Sequence, residues 1–164
     1  MPSDQNSSAE HPVSVVTGAN SGIGRATAIH LAQQGHRVIG TVRSIEKADK
    51  LRNMAADADV SVELFELDVA DDESVRAGFE RILEATGRVD HLVNNAGVGG
   101  NAVAEECPPE LYLSVMNVNL CGAVRCIQAV LPQMRERRSG TIVNITSVAG
   151  RIAALAQSPY VASK

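Results

Sequence analysis

Two side chains near the end of the chain have types and spacing suited to acid–base chemistry. Tyr160 and Lys164 stand four residues apart, a separation that places two side chains on one face of a helix. A nearby ammonium group favours the ionised form of a phenol. Tyr160 could therefore donate a proton during carbonyl reduction and accept one during alcohol oxidation. Alone, this pair carries little weight, because the pattern arises by chance in many chains.

A second feature, near the start of the chain, is suited to binding a nucleotide. The β-branched run Val13–Thr17 leads directly into glycines with the spacing G-x-x-x-G-x-G. Glycines at a strand-to-helix turn let the backbone approach a pyrophosphate, which then lies at a helix N-terminus. An ordinary glycine turn is the alternative. The residues predicted to contact the nucleotide are Gly18, Asn20, Ser21, Gly22, Ile23 and Gly24.

Elements that could position these residues alternate regularly along the chain. Apolar patterns predict strands over residues 13–17, 37–42, 60–67, 91–93 and 141–145, and helices over 22–34, 44–57, 71–87 and 109–137. Such alternation is typical of parallel strands with helices on both faces. We therefore predict an α/β fold, a Rossmann-like doubly wound parallel sheet. A nucleotide needs a switch point between strands 1 and 4, which predicts the strand order 3-2-1-4-5.

The fourth predicted helix is apolar on two sides. One side can cover the sheet, and the other needs a partner, so we expect a homodimer or homotetramer formed through this helix. The first stripe consists of Val115, Val118 and Gly122, and the second of Leu120, Val124, Ile127 and Leu131.

Composition excludes several classes of function. The net charge is −4 and aromatic residues make up 2% of the 164 residues, so neither a basic footprint nor stacking platforms for nucleic acid are expected. The three cysteines form no CxxC pair, so neither a disulfide framework nor a zinc ribbon is expected. The four histidines do not have the spacing of metal ligands, so no metal site is expected. No apolar run approaches the length of a membrane span. Residues 1–12 lack the apolar run of a signal peptide, which predicts a disordered leader and a cytoplasmic protein.

With three further motifs, the chain resembles the short-chain dehydrogenase/reductase family over nearly all of residues 13–164. Asn94-Asn95-Ala96-Gly97 matches the family's N-N-A-G motif, Asn119 its helix asparagine, and Ser147 its serine thirteen residues before the tyrosine. The resemblance implies that Tyr160 is the general acid and base, that Lys164 also binds the nicotinamide ribose, and that Ser147 bonds the substrate oxygen. It further implies that Asn119 holds a water linked to Lys164, and that Asn95, Ala96 and Gly97 form the cofactor wall.

Each assignment has a structural alternative. Tyr160 could be a partly buried tyrosine, and Lys164 a solvated lysine. Ser147 could cap a helix, with Thr146 or Ser158 in its place. Asn119 could bond the backbone at a helix kink.

Residues after the second and third strands bear on the cofactor. An acid that binds the ribose hydroxyls of NAD is expected about 20 residues beyond the glycines, yet Val42 stands there and Arg43 follows. A guanidinium can hold a 2′-phosphate with two hydrogen bonds. We therefore expect NADP(H) to be preferred, with NAD(H) possible. The resemblance assigns Asp68 and Val69 to the adenine, although Asp68 could instead cap the next turn.

The family resemblance also predicts that this sequence contains only part of the family's usual domain. Family members continue beyond the catalytic lysine with further strands and a substrate-covering segment, so residues 13–164 are expected to form an incomplete dinucleotide-binding domain. The predicted function is interconversion of a carbonyl and an alcohol by hydride transfer. A catalytically inactive nucleotide-binding or interaction fragment is one alternative, and a reductase acting on 3-oxoacyl carrier protein is another. The glycine spacing disfavours the epimerase branch of the superfamily.

Overall fold

The computed structural model describes residues 11–164, so almost all of the leader predicted over residues 1–12 lies outside the described part. Strands and helices alternate along the chain. The strands are β1 Val13–Thr17, β2 Arg37–Val42, β3 Val62–Glu66, β4 His91–Asn94 and β5 Thr141–Asn144. The helices are α1 Gly22–Gln33, α2 Asp49–Asp57, α3 Asp72–Thr86, α4 Pro109–Met116, α5 Gly122–Arg137 and α6 Ser158–Ser163.

The strands form one parallel sheet in the order β3-β2-β1-β4-β5, which confirms the predicted topology. Val15 at the centre of β1 lies beside Ile39 of β2 and Leu92 of β4. In the sheet, β1 has β2 as its neighbour on one side and β4 as its neighbour on the other. The loops that follow β1 and β4 therefore diverge, and a crevice opens between them at the carboxyl edge of the sheet.

Helices cover both faces of the sheet, as a doubly wound fold requires. On one face, Phe79 and Ile82 of α3 pack with Cys126 and Val130 of α5 over buried strand residues that include Val15. On the other face, α1 and α2 pack over Val16 and its neighbours. Adjacent residues of β1 thus enter opposite cores, because successive side chains of a strand point to opposite faces.

Three predicted elements differ from the observed ones. The strand expected over 60–67 is shorter, because the N–H of Val60 donates to Ala55 at the end of α2 instead of to a strand. The helix expected over 44–57 begins with a separate 3₁₀ turn at Ile45–Lys47, where the N–H of Ile45 donates to Glu66 Oε1 over 3.1 Å. The helix expected over 109–137 contains a π-helical segment, Asn117–Cys121, between α4 and α5.

The continuous helical stretch Pro109–Arg137 is, by length and composition alone, long and apolar enough to cross a membrane. The core helix of a folded domain meets the same criterion, and one apolar side of this stretch contributes Val115, Cys126 and Val130 to the buried interior. Those contacts account for its apolar character along that side. Of the predicted second stripe, Leu120 and Val124 are exposed, whereas Ile127 packs against the core because it also faces α3 and the sheet. Leu113, which belongs to neither predicted stripe, is exposed as well.

Candidate active site

The glycine turn between β1 and α1 packs closely against the loop after β4. At Gly18, which has a positive φ of 66°, a Cβ atom would lie 2.9 Å from the Cα of Ala96. At Gly24, a Cβ would lie 2.3 Å from Asn95 Nδ2 and 2.5 Å from the carbonyl oxygen of Gly18. Only glycine permits either approach. Gly24 therefore allows the turn to pack against Asn95 and the carbonyl oxygen of Gly18.

The N-terminus of α1 is open at this turn. Ser21 occupies the N-cap position and makes no side-chain hydrogen bond to the helix. The first N–H groups of an α-helix have no intrahelical acceptor. Together with the helix dipole, they form a site suited to an anionic phosphate group.

Thr17 joins the two loops, and the sequence analysis did not single it out. Its hydroxyl oxygen accepts hydrogen bonds from the backbone N–H groups of Asn95 and Ala96, both at 3.0 Å, and donates to the carbonyl oxygen of Val93. The side chain is 1% exposed. Its position immediately before the first glycine is the signal that could have identified it.

The two asparagines of Asn94-Asn95-Ala96-Gly97 make different contacts. Asn94 Nδ2 donates to Asn144 Oδ1 of β5 over 2.9 Å. Asn95 Nδ2 donates to the carbonyl oxygens of Thr17 and Gly18, at 2.9 and 3.3 Å. The first asparagine thus links neighbouring strands, whereas the second fixes the glycine turn.

Asp68, Val69 and Arg43 lie at the ends of β2 and β3, at the other side of the crevice. Asp68 Oδ1 accepts a hydrogen bond from the N–H of Ala70 at 3.0 Å. This contact corresponds to the turn-capping alternative, yet Asp68 and Val69 also line the crevice. Arg43 is exposed and lines it as well. Lys47, which the sequence analysis did not select, extends the same wall.

Tyr160 and Lys164 come together on α6 and at its end, facing the crevice from the β5 side. Lys164 Nζ lies 5.9 Å from the centroid of the Tyr160 ring and donates to the carbonyl oxygen of Ile145 over 3.1 Å. A Cβ on Gly97 would lie 3.4 Å from the same nitrogen. The lysine is thereby held between the end of β5 and the loop after β4.

Asn119 and Ser147 do not line the crevice. Asn119 is buried in the π-helical segment, where Nδ2 donates to the Val98 carbonyl oxygen at 2.9 Å and to Ser163 Oγ at 2.7 Å. Its Oδ1 accepts from the N–H of Val98 at 2.8 Å. Both amide hydrogens are therefore engaged within the protein. These contacts with the Val98 backbone match the helix-kink alternative, and the water between Asn119 and Lys164 stays a prediction.

Ser147 caps the 3₁₀ turn Val148–Gly150, because its Oγ accepts a hydrogen bond from the N–H of Ala149 at 3.1 Å. Its hydroxyl hydrogen is not used by that contact, so a substrate oxygen could still receive it. Thr146, the neighbouring alternative, lines the crevice directly.

The crevice is one continuous cavity of about 1000 Å³. Asn20 Oδ1 is buried there and has no hydrogen-bond partner within residues 11–164. An open helix N-terminus, an orphan acceptor and exposed cations at one end suit an elongated, phosphate-bearing ligand such as a dinucleotide. The predicted residues that line the cavity are Gly18, Asn20, Ser21, Gly22, Ile23, Arg43, Asp68, Val69, Asn95, Ala96, Gly97, Tyr160 and Lys164.

Comparison with protein families and curated proteins points to one group. The family model described as short chain dehydrogenase matches residues 12–164. The chain is 39% identical over 155 residues to the 3-oxoacyl-acyl-carrier-protein reductase FabG of Thermotoga maritima, covering 94% of the chain and 63% of that protein. It is 40% identical to the 3-ketodihydrosphingosine reductase of Bacteroides thetaiotaomicron, covering 92% of the chain and 52% of that protein. The chain thus spans less than two thirds of either relative.

Solved structures show the same similarity. A crystal structure of an actinorhodin polyketide ketoreductase variant with NADPH superposes with a TM-score of 0.88 at 37% identity, covering 93% of this chain and 59% of that one. A metagenomic short-chain oxidoreductase in complex with NADP gives a TM-score of 0.86 at 35% identity, covering 93% of this chain and 70% of that one.

Proposed function

The chain belongs to the short chain dehydrogenase family, and from this premise we propose that it acts as an NADP(H)-dependent oxidoreductase. The proposed reaction interconverts a carbonyl compound and a primary or secondary alcohol by hydride transfer. The observation that carries the proposal is that one continuous cavity is lined by both groups of residues. The glycine turn and Arg43 line one end of this cavity, and Tyr160 and Lys164 line the other.

In the proposed reaction, Tyr160 exchanges a proton with the substrate oxygen. The nicotinamide cofactor supplies or receives the hydride when it is bound. Tyr160 donates its phenolic proton to the oxygen during reduction and takes one back during oxidation. Lys164 is held by the Ile145 carbonyl oxygen with its Nζ 5.9 Å from the centroid of the Tyr160 ring, so its positive charge lies near the group that exchanges the proton. Thr146 lines the cavity, and the adjacent Ser147 has a hydroxyl hydrogen that its contact with Ala149 does not use. We assign to this Ser147 hydroxyl the stabilisation of negative charge that develops on the substrate oxygen.

The preference for NADP(H) over NAD(H) rests on Arg43. Val42 occupies the position of the usual ribose-binding acid, and Arg43 extends the cavity wall beyond it. Two solved relatives carry NADPH or NADP. A charge-assisted contact to a phosphate contributes about 1.5–3 kcal/mol. We therefore expect Arg43→Ala to weaken NADP⁺ binding about tenfold or more, with little effect on NAD⁺ binding.

The substrate class that we propose is ketones, including 3-oxoacyl thioesters. Support comes from two similar proteins that reduce ketones, a 3-oxoacyl-acyl-carrier-protein reductase and a polyketide ketoreductase. A nucleotide-binding fragment without turnover is the competing function. It shares the cofactor site and differs only in catalysis.

Turnover separates the two functions. NADPH oxidation is followed at 340 nm with a panel of ketones and a 3-oxoacyl thioester, for the wild type and for Tyr160→Phe. Loss of a positioned general acid lowers kcat by about 10²–10⁴-fold, whereas the NADPH affinity, measured by calorimetry, is expected to persist. The same substitution of Tyr112, which lies on α4 outside the cavity, is the control. Turnover by Tyr160→Phe at the wild-type rate would remove Tyr160 from the mechanism, and NADPH binding without any turnover would favour the competing function.

A further inference from the structure

Arg125 of α5 does not line the cavity, but it contacts a loop that forms part of the cavity wall. Its guanidinium forms an ion pair with Asp72 and donates to the carbonyl oxygen of Val69 over 3.2 Å. Val69 follows β3 and lines the cavity. We infer that Arg125 is a positioning residue for the cofactor, because it holds the loop after β3 against α5. This inference rests on the proposed use of NADP(H) and adds a residue that acts on that site from behind its wall.

The same guanidinium also holds the π-helical segment between α4 and α5. It donates to the carbonyl oxygen of Asn117 over 3.2 Å and to Oδ1 of the same residue over 2.9 Å. Asn117 Nδ2 in turn donates to the carbonyl oxygen of Ala70 over 2.9 Å. Arg125 and Asn117 therefore both link the loop after β3 to the π-helical segment.

Gly122 lets the loop come close enough for these contacts. A Cβ atom at this position would lie 2.9 Å from both Cβ and Cγ2 of Val69, and 3.1 Å from its carbonyl oxygen. A larger residue would push the loop away from the helix. Gly122 is the first residue of α5, and Arg125 follows on the next turn. One helix end thus supplies a small residue for close packing and a long one for hydrogen bonding to the same stretch of backbone.

The π-helical segment passes this arrangement on to other parts of the cavity wall. Val118 lines the cavity directly. Asn119 donates to the carbonyl oxygen of Val98, on the loop after β4, and to Ser163 Oγ of α6. By fixing Asn117, the guanidinium therefore acts on residues that line the cavity, although it does not line the cavity itself.

The hydrogen bonds to carbonyl oxygens, rather than the ion pair, account for the positioning. The Arg125 side chain is 18% exposed, whereas that of Asp72 is 84% exposed. An ion pair with such an exposed partner contributes little. A planar guanidinium presents several donors in fixed directions, which suits acceptors on two different segments, whereas an ammonium is a compact point charge.

The experiment compares the NADPH affinity of two Arg125 variants with that of the wild type by calorimetry. Arg125→Met removes every donor and keeps an unbranched side chain, and Arg125→Lys keeps the charge but loses the planar group. In both variants the cofactor has to order the loop as it binds, which lowers its affinity. We expect NADPH binding to weaken about tenfold in Arg125→Met and about threefold in Arg125→Lys.

Two control variants separate positioning from charge and from stability. Asp72→Asn removes only the ion pair. Val130→Ala shortens a fully buried side chain of α5 that does not line the cavity, and it lowers the stability to urea as core truncations do. Both controls are expected to bind NADPH as the wild type does, at a temperature at which every variant is folded. Hydrogen–deuterium exchange of residues 67–71 is expected to quicken in the Arg125 variants and not in Val130→Ala.

The outcomes distinguish this inference from the proposed function. An Arg125→Lys variant that binds NADPH as tightly as the wild type overturns the inference, whether or not Arg125→Met folds. An equal loss of affinity in Val130→Ala overturns it as well, because it indicates a general effect of stability. An equal loss in Asp72→Asn assigns the effect to the ion pair and overturns it too. If the wild type does not bind NADPH, the proposed function itself fails, and the role of Arg125 fails with it.

Discussion

Cys126 shows how strongly burial controls the ionisation and reactivity of a single side chain. Its thiol lies in the core between α5 and the sheet, fully buried, and burial raises its pKa to about 12. The thiolate is the reactive form of cysteine, so Cys126 is expected to be inert near neutral pH. Cys121, one turn earlier in the chain, is exposed.

Alkylation with iodoacetamide at pH 8, followed by peptide mass spectrometry, checks this difference. We expect Cys121 to be labelled in the native protein at a rate at least about tenfold above that of Cys126, since burial lowers both the thiolate fraction of Cys126 and the access of the reagent to it. In urea the two rates should converge. Equal labelling of both residues in the native state would contradict the buried position of Cys126.

His36 makes the stability of the protein sensitive to mild acid. Its Nδ1 lies 2.7 Å from Ser14 Oγ, and Nδ1 of His91 lies 3.0 Å from the same oxygen. Burial lowers the pKa of His36, and the charge of His91 lowers it further, against a smaller opposing effect of Asp90. As the pH falls below about 6.5, the unfolded chain therefore binds a proton before the folded chain does, and the free energy of unfolding decreases.

Urea unfolding at pH 7.5 and 5.5 measures this effect. The wild type should lose stability over this interval, and His36→Asn should lose less. His30→Asn, which changes an exposed histidine of α1, is expected to follow the wild type. If His36→Asn loses as much stability as the wild type, His36 is not responsible.

Residues with a defined spacing could be predicted from the sequence, and residues that act through contacts could not. The glycines and the pair Tyr160 and Lys164 are recognisable because turn geometry and helix periodicity fix their separation. Lys47 and Thr17 have no such pattern. Each gains its position from a hydrogen bond to a distant loop, which spacing alone does not reveal.

At the scale of elements, the junction between β1 and β4 depends on the Thr17 hydroxyl. Thr17→Val keeps the shape of the side chain but removes the acceptor of two partly buried N–H groups. Leaving a buried donor unsatisfied costs about 1–3 kcal/mol. We therefore expect a loss of about 2 kcal/mol or more in the free energy of unfolding, and weaker NADP⁺ binding because the glycine turn loosens.

Thr17→Ser is the matched control, since it keeps the hydroxyl and removes only a methyl group. Removal of one buried methyl costs about 1 kcal/mol, so the serine variant should lie between the wild type and the valine variant in urea unfolding. A valine variant as stable as the serine variant would show that the two N–H groups do not depend on this oxygen.

The order and type of the elements followed from the sequence, and their interruptions did not. The apolar runs of Val13–Thr17 and Arg37–Val42 are unambiguous because both faces of these strands are buried. The π-helical segment Asn117–Cys121 is different, since its residues also suit an ordinary α-helix. Tertiary contacts of Asn117 and Asn119 with the loops after β3 and β4 accompany it, and such contacts are absent from any local pattern.

At the scale of the whole molecule, strand order was predictable because few topologies satisfy right-handed crossovers and a switch point. The same reasoning placed one apolar stripe of the fourth helix against the sheet. The other stripe raises the question of association. Leu120 and Val124 of that stripe are 47% and 43% exposed, and Leu113, two turns earlier on α4, is 70% exposed.

We predict that this face pairs with a second copy of the chain. Apolar surface of this extent on a helix is commonly covered by a partner, and a two-fold axis would bury the stripe against itself. Leu120→Glu places a charge at its centre and should shift the protein to monomer, with at least a tenfold weaker dimer constant because a buried unpaired charge is costly. Met54→Glu, a similar change on exposed α2, should leave the dimer intact. Sedimentation velocity at micromolar concentration decides the matter, and a wild type that sediments only as monomer would show that this face is not used for self-association.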